Sequence, residues 1–242
     1  MTAIAIAVVL VVFVAALLQA ATGMGFGIIA GPILLVAMGD TAAIQVTIVL
    51  STIPSLILVR RSLYEADPVL LKHLLGGAAA GLVVGALLFA TATVADLTWG
   101  AAAAVLAMAV LSTGFLERRV TVRGSSVTGR LLTGLMSGAM TATLAMPGPP
   151  VAAWASAAGL KKARTRATLL IVALACYPAA LALQGLVDGI PERVVDECLW
   201  LALPVVAGTF LGQAIAGRVP ERLFRRLVTV LLVLVALALV IR

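Results

Sequence analysis

Gln19-Ala-Ala-Thr-Gly-Met-Gly-Phe-Gly-Ile-Ile-Ala-Gly-Pro32, echoed by Ser137-Gly-Ala-Met-Thr-Ala-Thr-Leu-Ala-Met-Pro-Gly-Pro-Pro150, decides how this chain is read. Both stretches lie inside long apolar regions, yet both are built from residues that break a helix. Glycine in a helix interior costs roughly 1 kcal/mol relative to alanine, and proline roughly 3. Gly23, Gly25, Gly27, Gly31 and Pro32 together therefore predict interrupted backbone. At membrane depth such backbone is tolerated only where protein buries it or a polar cavity solvates it. Breaks at corresponding places in two halves of a membrane chain point to a binding site.

The surroundings of these stretches belong in a bilayer. Of 242 residues, 63% are hydrophobic and 11% charged, and the mean hydropathy of +1.20 is more than a water-soluble domain of this length can keep dispersed. Continuous runs such as 4–21 and 223–241 suit spanning helices of about 20 residues, whereas barrel strands would alternate in polarity. The formal net charge of +7 sits in short connections between apolar runs, so it reads as topology and not as a nucleic-acid surface. Met1–Ala21 reads as a span and not as a signal peptide, since no Lys or Arg precedes the apolar run. Cys176 and Cys198 match no metal or redox spacing, and His73 is the single histidine. Neither a metal nor another cofactor is expected.

Apolar runs bounded by charges or turn residues give ten segments, at 2–21, 24–39, 41–59, 70–91, 97–116, 129–146, 147–160, 167–186, 197–216 and 223–241. The second and seventh are too short to cross a hydrocarbon core of about 30 Å. Placing the connections alternately on two sides puts 15 of the 17 basic residues on one side and leaves Arg193 and Arg242 on the other. Asp40, Asp96, Asp188, Glu192, Asp196 and Glu197 fall opposite the basic loops. The basic side is expected to be cytoplasmic. Gly31-Pro32 and Gly148-Pro149 each follow a long first span, and each is followed by a short piece and three more spans. Five segments per half is an odd number, so two halves of one fold must insert with opposite orientation.

The expected architecture is an all-α polytopic membrane protein of two inverted repeats, each with about four spanning helices plus one short broken or re-entrant helix. The divisions are 1–118 for the first repeat, 119–130 for a cytoplasmic basic linker and 131–242 for the second repeat. Gly76, Gly77, Gly81 and Gly85, and likewise Gly208, Gly212 and Gly217, lay small residues along matching spans. Packing within one chain is their first reading and a homodimer interface the second. Trp99, Trp200 and Tyr64 fall near span ends and read as interfacial anchors.

Thr22-Gly-Met-Gly-Phe-Gly-Ile-Ile-Ala-Gly-Pro-Ile-Leu34 resembles the first glycine-rich signature of the TauE/SafE family of sulfite exporters and sulfonate permeases. Gly134-Leu-Met-Ser-Gly138, Pro147-Gly-Pro-Pro150 and Arg166-Ala167 are similar to its second-half signature, and the resemblance runs the length of the chain. Ala20-Ala21 stands where members often carry Ser-Gly, and Thr141-Ala142-Thr143 where further glycines are common. The resemblance implies a multi-pass transporter of the bacterial inner membrane that exports small sulfur-containing anions, sulfite or organosulfonates, with carboxylates also within the substrate class. Its partners are then the small anion and the lipid bilayer.

The residues supply a mechanism beside the resemblance. By the boundaries above, no Asp, Glu, Lys or Arg lies in the middle of a span, and a proton-coupled carrier usually needs such a group. A potential-driven uniporter is the first reading. A proton- or sodium-coupled uptake permease is the alternative, since sodium sites built from hydroxyls stay open. An intramembrane enzyme finds no aspartate pair, histidine cluster or serine–histidine couple. Without a buried cation, an anion is held by free N–H groups at helix N-termini. The starts of the two short segments, at Gly23, Gly25, Phe26 and Gly27 and at Pro147, Gly148 and Pro149, are expected to face one another. Gln19, Thr22, Gln45, Ser137, Thr141 and Thr143 are candidate neutral donors, each with helix packing or back-bonding as its plain alternative. Trp154 packs or lines the cavity, and Arg166 either draws anions to its mouth or simply marks the cytoplasmic side.

Overall fold

The computed structural model describes residues 3–112 and 126–215. Nine α-helices are present among these residues: α1 (Ala3–Thr22), α2 (Phe26–Met38), α3 (Ala42–Ser62), α4 (Pro68–Thr91), α5 (Val94–Ser112), α6 (Val127–Leu144), α7 (Gly148–Ala157), α8 (Lys162–Val187) and α9 (Glu192–Ile215). A short 3-10 turn, Leu63–Glu65, joins α3 to α4. The tenth expected segment, 223–241, lies outside the described residues.

Helix starts follow local chemistry. Asp67 accepts from the backbone N–H groups of Val69 and Leu70 at 3.0 and 3.2 Å, and Pro68 occupies the first turn of α4, where its missing N–H is no loss. Thr93 and Asp96 form a reciprocal box at α5, each accepting from the other's backbone N–H. Ser126 caps α6 by accepting from Gly129 N–H at 3.2 Å, so α6 takes over the last residues of the expected linker.

Five helices, α1, α3, α4, α8 and α9, are long and apolar enough to cross a membrane. The chain is a polytopic, all-helical membrane protein, with no strand among the described residues. α2 and α7, of 13 and 10 residues, rise only about 20 and 15 Å, as the sequence predicts for its second and seventh segments. α8 and α9 begin five residues earlier than expected, at Lys162 and Glu192. Lysine, arginine and glutamate, taken as loop markers, are good helix formers, and aspartate suits a first turn, so these first turns extend the apolar spans. Lys162, Arg164, Arg166, Arg193, Asp196 and Glu197 therefore lie on helices instead of in connections.

Packing joins helices from opposite halves. α4 runs along α6 and α1 along α9, α3 packs on α8, and the α4–α8 contact has a counterpart in α3–α9. Close approach comes from glycine. A Cβ on Gly77 or Gly81 of α4 would overlap the carbonyl oxygens of Leu131 or Leu135, and one on Gly134 or Gly138 of α6 those of Leu74 or Ala78. Gly208 and Gly212 of α9 meet Phe13 and Leu17 of α1 in the same way. The described glycines of both stripes thus form intrachain seams, where small residues let backbones touch and glycine Cα–H groups meet carbonyl oxygens; Gly217 lies outside the described residues. Gly76 is the exception: it is exposed, with only a Leu131 methyl near it.

Polar contacts assign the helix ends to two faces. Arg164 pairs with Asp67 at 3.7 Å, joining the first turn of α8 to the start of α4. Arg193 pairs with Asp40, and Gln45 Nε2 donates to the Gly189 carbonyl at 2.8 Å, joining the α2–α3 and α8–α9 turns.

Candidate functional site

Two interruptions meet inside the bundle. The first separates α1 from α2, where Gly23 and Gly25 take φ of +88° and +127°, a region that only glycine enters cheaply. The second ends α6 at Ala145, the single non-glycine residue with positive φ among those described, at 58°. Its N–H donates to Thr141 O at 2.9 Å and that of Met146 to Met140 O at 3.2 Å, closing the helix in a left-handed cap.

Gly27 lies so close to this second break that a Cβ there would overlap the Ala145 carbonyl oxygen. A Cβ on Gly148 would lie 3.1 Å from both the Cβ and Sδ of Met24. The elements that begin at Phe26 and Gly148 therefore converge, and the space between them is a small cavity. It is lined by Gln19 of α1, Gly23, Met24 and Gly25 of the first break, Gly27 and Ile28 of α2, Ala145, Met146 and Pro147 of the second break, and Gly148 of α7. Leu169, Ala173 and Tyr177 of α8 close it.

The two helix starts are chemically unequal. α2 opens without a side-chain cap, so the N–H groups of Phe26, Gly27 and Ile28 have no intrahelical acceptor. The Ile29 N–H already donates to Gly25 O at 3.1 Å. α7 opens as Gly148-Pro149-Pro150 after Pro147, and three prolines leave Gly148 as the one donor in that turn. Proline does sacrifice no helical bond there, but it also withholds the N–H a ligand would use. The positive helix end at the cavity belongs mainly to α2.

The hydroxyls are largely committed. Thr141 and Thr143 donate to Ser137 O and Ala139 O, at 2.6 and 2.8 Å, within α6. Ser137 donates to Pro147 O at 2.7 Å and so fastens the second break to its own helix. Thr22 lies against Leu18 O and Met24 O, around the turn of the first break. Gln19 reaches α3, its Nε2 donating to Ser55 Oγ at 2.9 Å and Ser51 O at 3.3 Å.

The remaining sequence candidates are placed around or away from the cavity. Phe26 and Pro149 are buried beside it without lining it. Trp154 packs its indole against the start of α6 at Gly129. Gln45 belongs to the α8–α9 turn, through its bond to Gly189. Arg166 lies beside the first break: its Cγ meets the Cβ position of Gly23 at 2.7 Å, and its guanidinium donates to Ala20 O in the last turn of α1. A cation there complements the negative end of that helix.

Sequence reasoning missed the α8 wall. Leu169, Ala173 and Tyr177 recur at four-residue spacing, one face of a helix, and Tyr177 carries the single hydroxyl of that stripe. Its OH lies 3.5 Å from Ala145 O. A polar-tipped ring within an apolar span, directly before Pro178, was the available signal.

Comparison with curated proteins and with solved structures finds no match. A family model described as sulfite exporter TauE/SafE matches residues 8–239 of the 242, and the chain belongs to that family of membrane transporters, which is not an enzyme family.

Proposed function

We propose that this protein exports small sulfur-containing anions, sulfite or organosulfonates, across the bacterial inner membrane, as a potential-driven uniporter with its basic loops in the cytoplasm. The observation that carries the reading is the convergence of the two backbone breaks on one cavity beside the uncapped start of α2. Among the described residues no Asp, Glu, Lys, Arg or His lines that cavity, so the anion is recognised by backbone dipoles and neutral groups. Coupling to a proton through the wall would need a carboxylate or histidine there. Outward movement of a monoanion from a negative interior is favoured by roughly 2.3 kcal/mol per 100 mV.

The same proposal includes two inverted repeats, α1–α5 and α6 onward. It is supported by an exchange rule: mapping α1, α3 and α4 onto α6, α8 and α9 turns the α4–α6 contact into α9–α1 and α4–α8 into α9–α3. The repeats then interleave instead of standing as separate domains. The registers of the two breaks differ, since Pro32 lies inside α2 whereas Pro149 opens α7. Phe26 and Gly148 are the equivalent positions, in place of the two Gly-Pro pairs.

The test is flux of sulfite and small sulfonates in proteoliposomes under an imposed potential, at equal pH and without a sodium gradient. Flux that follows the potential is expected. Flux that is absent until a proton or sodium gradient is added would contradict uniport and support the coupled permease.

A further inference from the structure

Gln19 both lines the cavity and leaves an atom unanswered. Its residue is 1% exposed, and its Oε1 accepts no hydrogen bond from any described residue. The amide orientation is fixed from the other side: Nε2 faces Ser51 O and Ser55 Oγ, and a carbonyl such as that of Ser51 can only accept. Turning the amide over would set two carbonyl oxygens against each other. A buried acceptor left unpaired is costly, and only a donor answers it.

The neighbouring donors of the opposite need at the cavity are the first N–H groups of α2 and the Gly148 N–H, since the Tyr177 hydroxyl already donates to Ala145 O. A fully deprotonated oxyanion satisfies these donors and is repelled by Gln19 Oε1. A singly charged oxyanion that keeps one O–H satisfies both. We infer that the cavity takes its anion in hydrogen-bearing form, a monoanionic oxyanion whose O–H donates to Gln19 Oε1 while its bare oxygens accept from α2 and Gly148. This rests on the anion-site reading above and narrows it to a protonation state. It also matches a lining without a cation, which suits one negative charge better than two.

The titratable groups near the cavity all come from α8: Tyr177 in its wall, Cys176 turned toward Thr141 of α6, and Arg166 held at Ala20 O. From α1, α2, α3, α6 and α7 only neutral described groups face it. Ordinary ionisation of tyrosine, cysteine and arginine lies above neutrality, so around neutral pH the ligand itself is the group that titrates.

The test uses the purified full-length protein with two probes, sulfite, whose second ionisation lies near neutrality, and methanesulfonate, a monoanion of similar size with no O–H. Equilibrium binding of each is measured from about pH 6 to about pH 8, a window in which those three side chains keep their ordinary protonation. The apparent Kd of sulfite should rise about tenfold per pH unit above its ionisation, the signature of one linked proton, while that of methanesulfonate stays level. Gln19→Met should weaken sulfite at the acid end about five- to tenfold, whereas methanesulfonate, with no O–H to lose, should bind no more weakly than before; equal weakening of both probes would overturn the inference. If that variant does not fold, the two wild-type profiles decide. Sulfite binding that holds steady or tightens as pH rises overturns the inference and leaves the anion site standing. Failure of both probes at every pH removes the site and the inference with it.

Discussion

Gly27 is the residue on which the meeting of the two breaks depends, because its α-carbon rests on the Ala145 carbonyl oxygen. Substitution with alanine drives a methyl into backbone that cannot rotate away, and overpacking of this kind costs about 3 kcal/mol. Gly27→Ala should lower the unfolding midpoint in detergent and abolish sulfite flux. Gly148→Ala meets Met24 at both its Cβ and its Sδ, at 3.1 Å; the thioether can move aside but the Cβ must shift by a few tenths of an ångström, so the cost should be about 1 kcal/mol, less than that of Gly27→Ala. Equal loss in the two variants would show that the close contact is not where the structure puts it. Little of this asymmetry was legible in the residues themselves. Gly25 and Gly27 look alike in sequence, yet Gly25 has no neighbour at its Cβ position and needs glycine for its φ of +127°, whereas Gly27 needs it for space.

At the scale of the helix, the glycine seam between α4 and α6 makes a sharper prediction. Gly76 and Gly77 are adjacent, but only Gly77 faces α6. Gly77→Ala or Gly81→Ala should destabilise by about 2 to 3 kcal/mol through backbone overlap. Gly76→Ala should be neutral or stabilising by up to about 1 kcal/mol, from helix propensity alone. Thermal unfolding of the three variants in one detergent checks the contrast, and a loss at Gly76 matching that at Gly81 would place this face in a contact outside the chain. Helices were legible as apolar runs, and the short lengths of α2 and α7 followed from Gly and Pro. Their ends were less so, because Lys162 to Arg166 and Glu192 to Glu197 look like loops by charge and fold as first turns. α6 shows a related effect: Arg130 and its hydroxyl and glycine residues lower its apolar character, and several of them turn inward to the α4 seam and the second break.

For the whole molecule, alternation of basic and acidic connections assigned sides before any contact was visible. The Arg164–Asp67 and Arg193–Asp40 pairs join residues that the alternation had put on the same side. Single cysteines at Asp67 and at Gly189, in a background free of Cys176 and Cys198, should react with a membrane-impermeant thiol reagent from opposite faces of the cell membrane. The Gly189 position should be labelled in intact spheroplasts and the Asp67 position only after lysis, and the reverse pattern would invert the proposed orientation. The placement of the cavity within the bundle could be anticipated from the paired breaks; its α8 wall could not, because Leu169, Ala173 and Tyr177 become neighbours of Gln19 only through packing of α8 against α3, α6 and α7. The most direct test of the central claim, that one small anion is held where the two breaks meet, is anomalous diffraction from crystals of the protein grown with selenite, the selenium analogue of sulfite. A selenium peak is expected between the two breaks, placed so that the selenite oxygens, one bond length from it, reach the Gly27 and Gly148 backbone nitrogens and Gln19 Oε1. A peak confined to the basic connections, with none between the breaks, would contradict that claim.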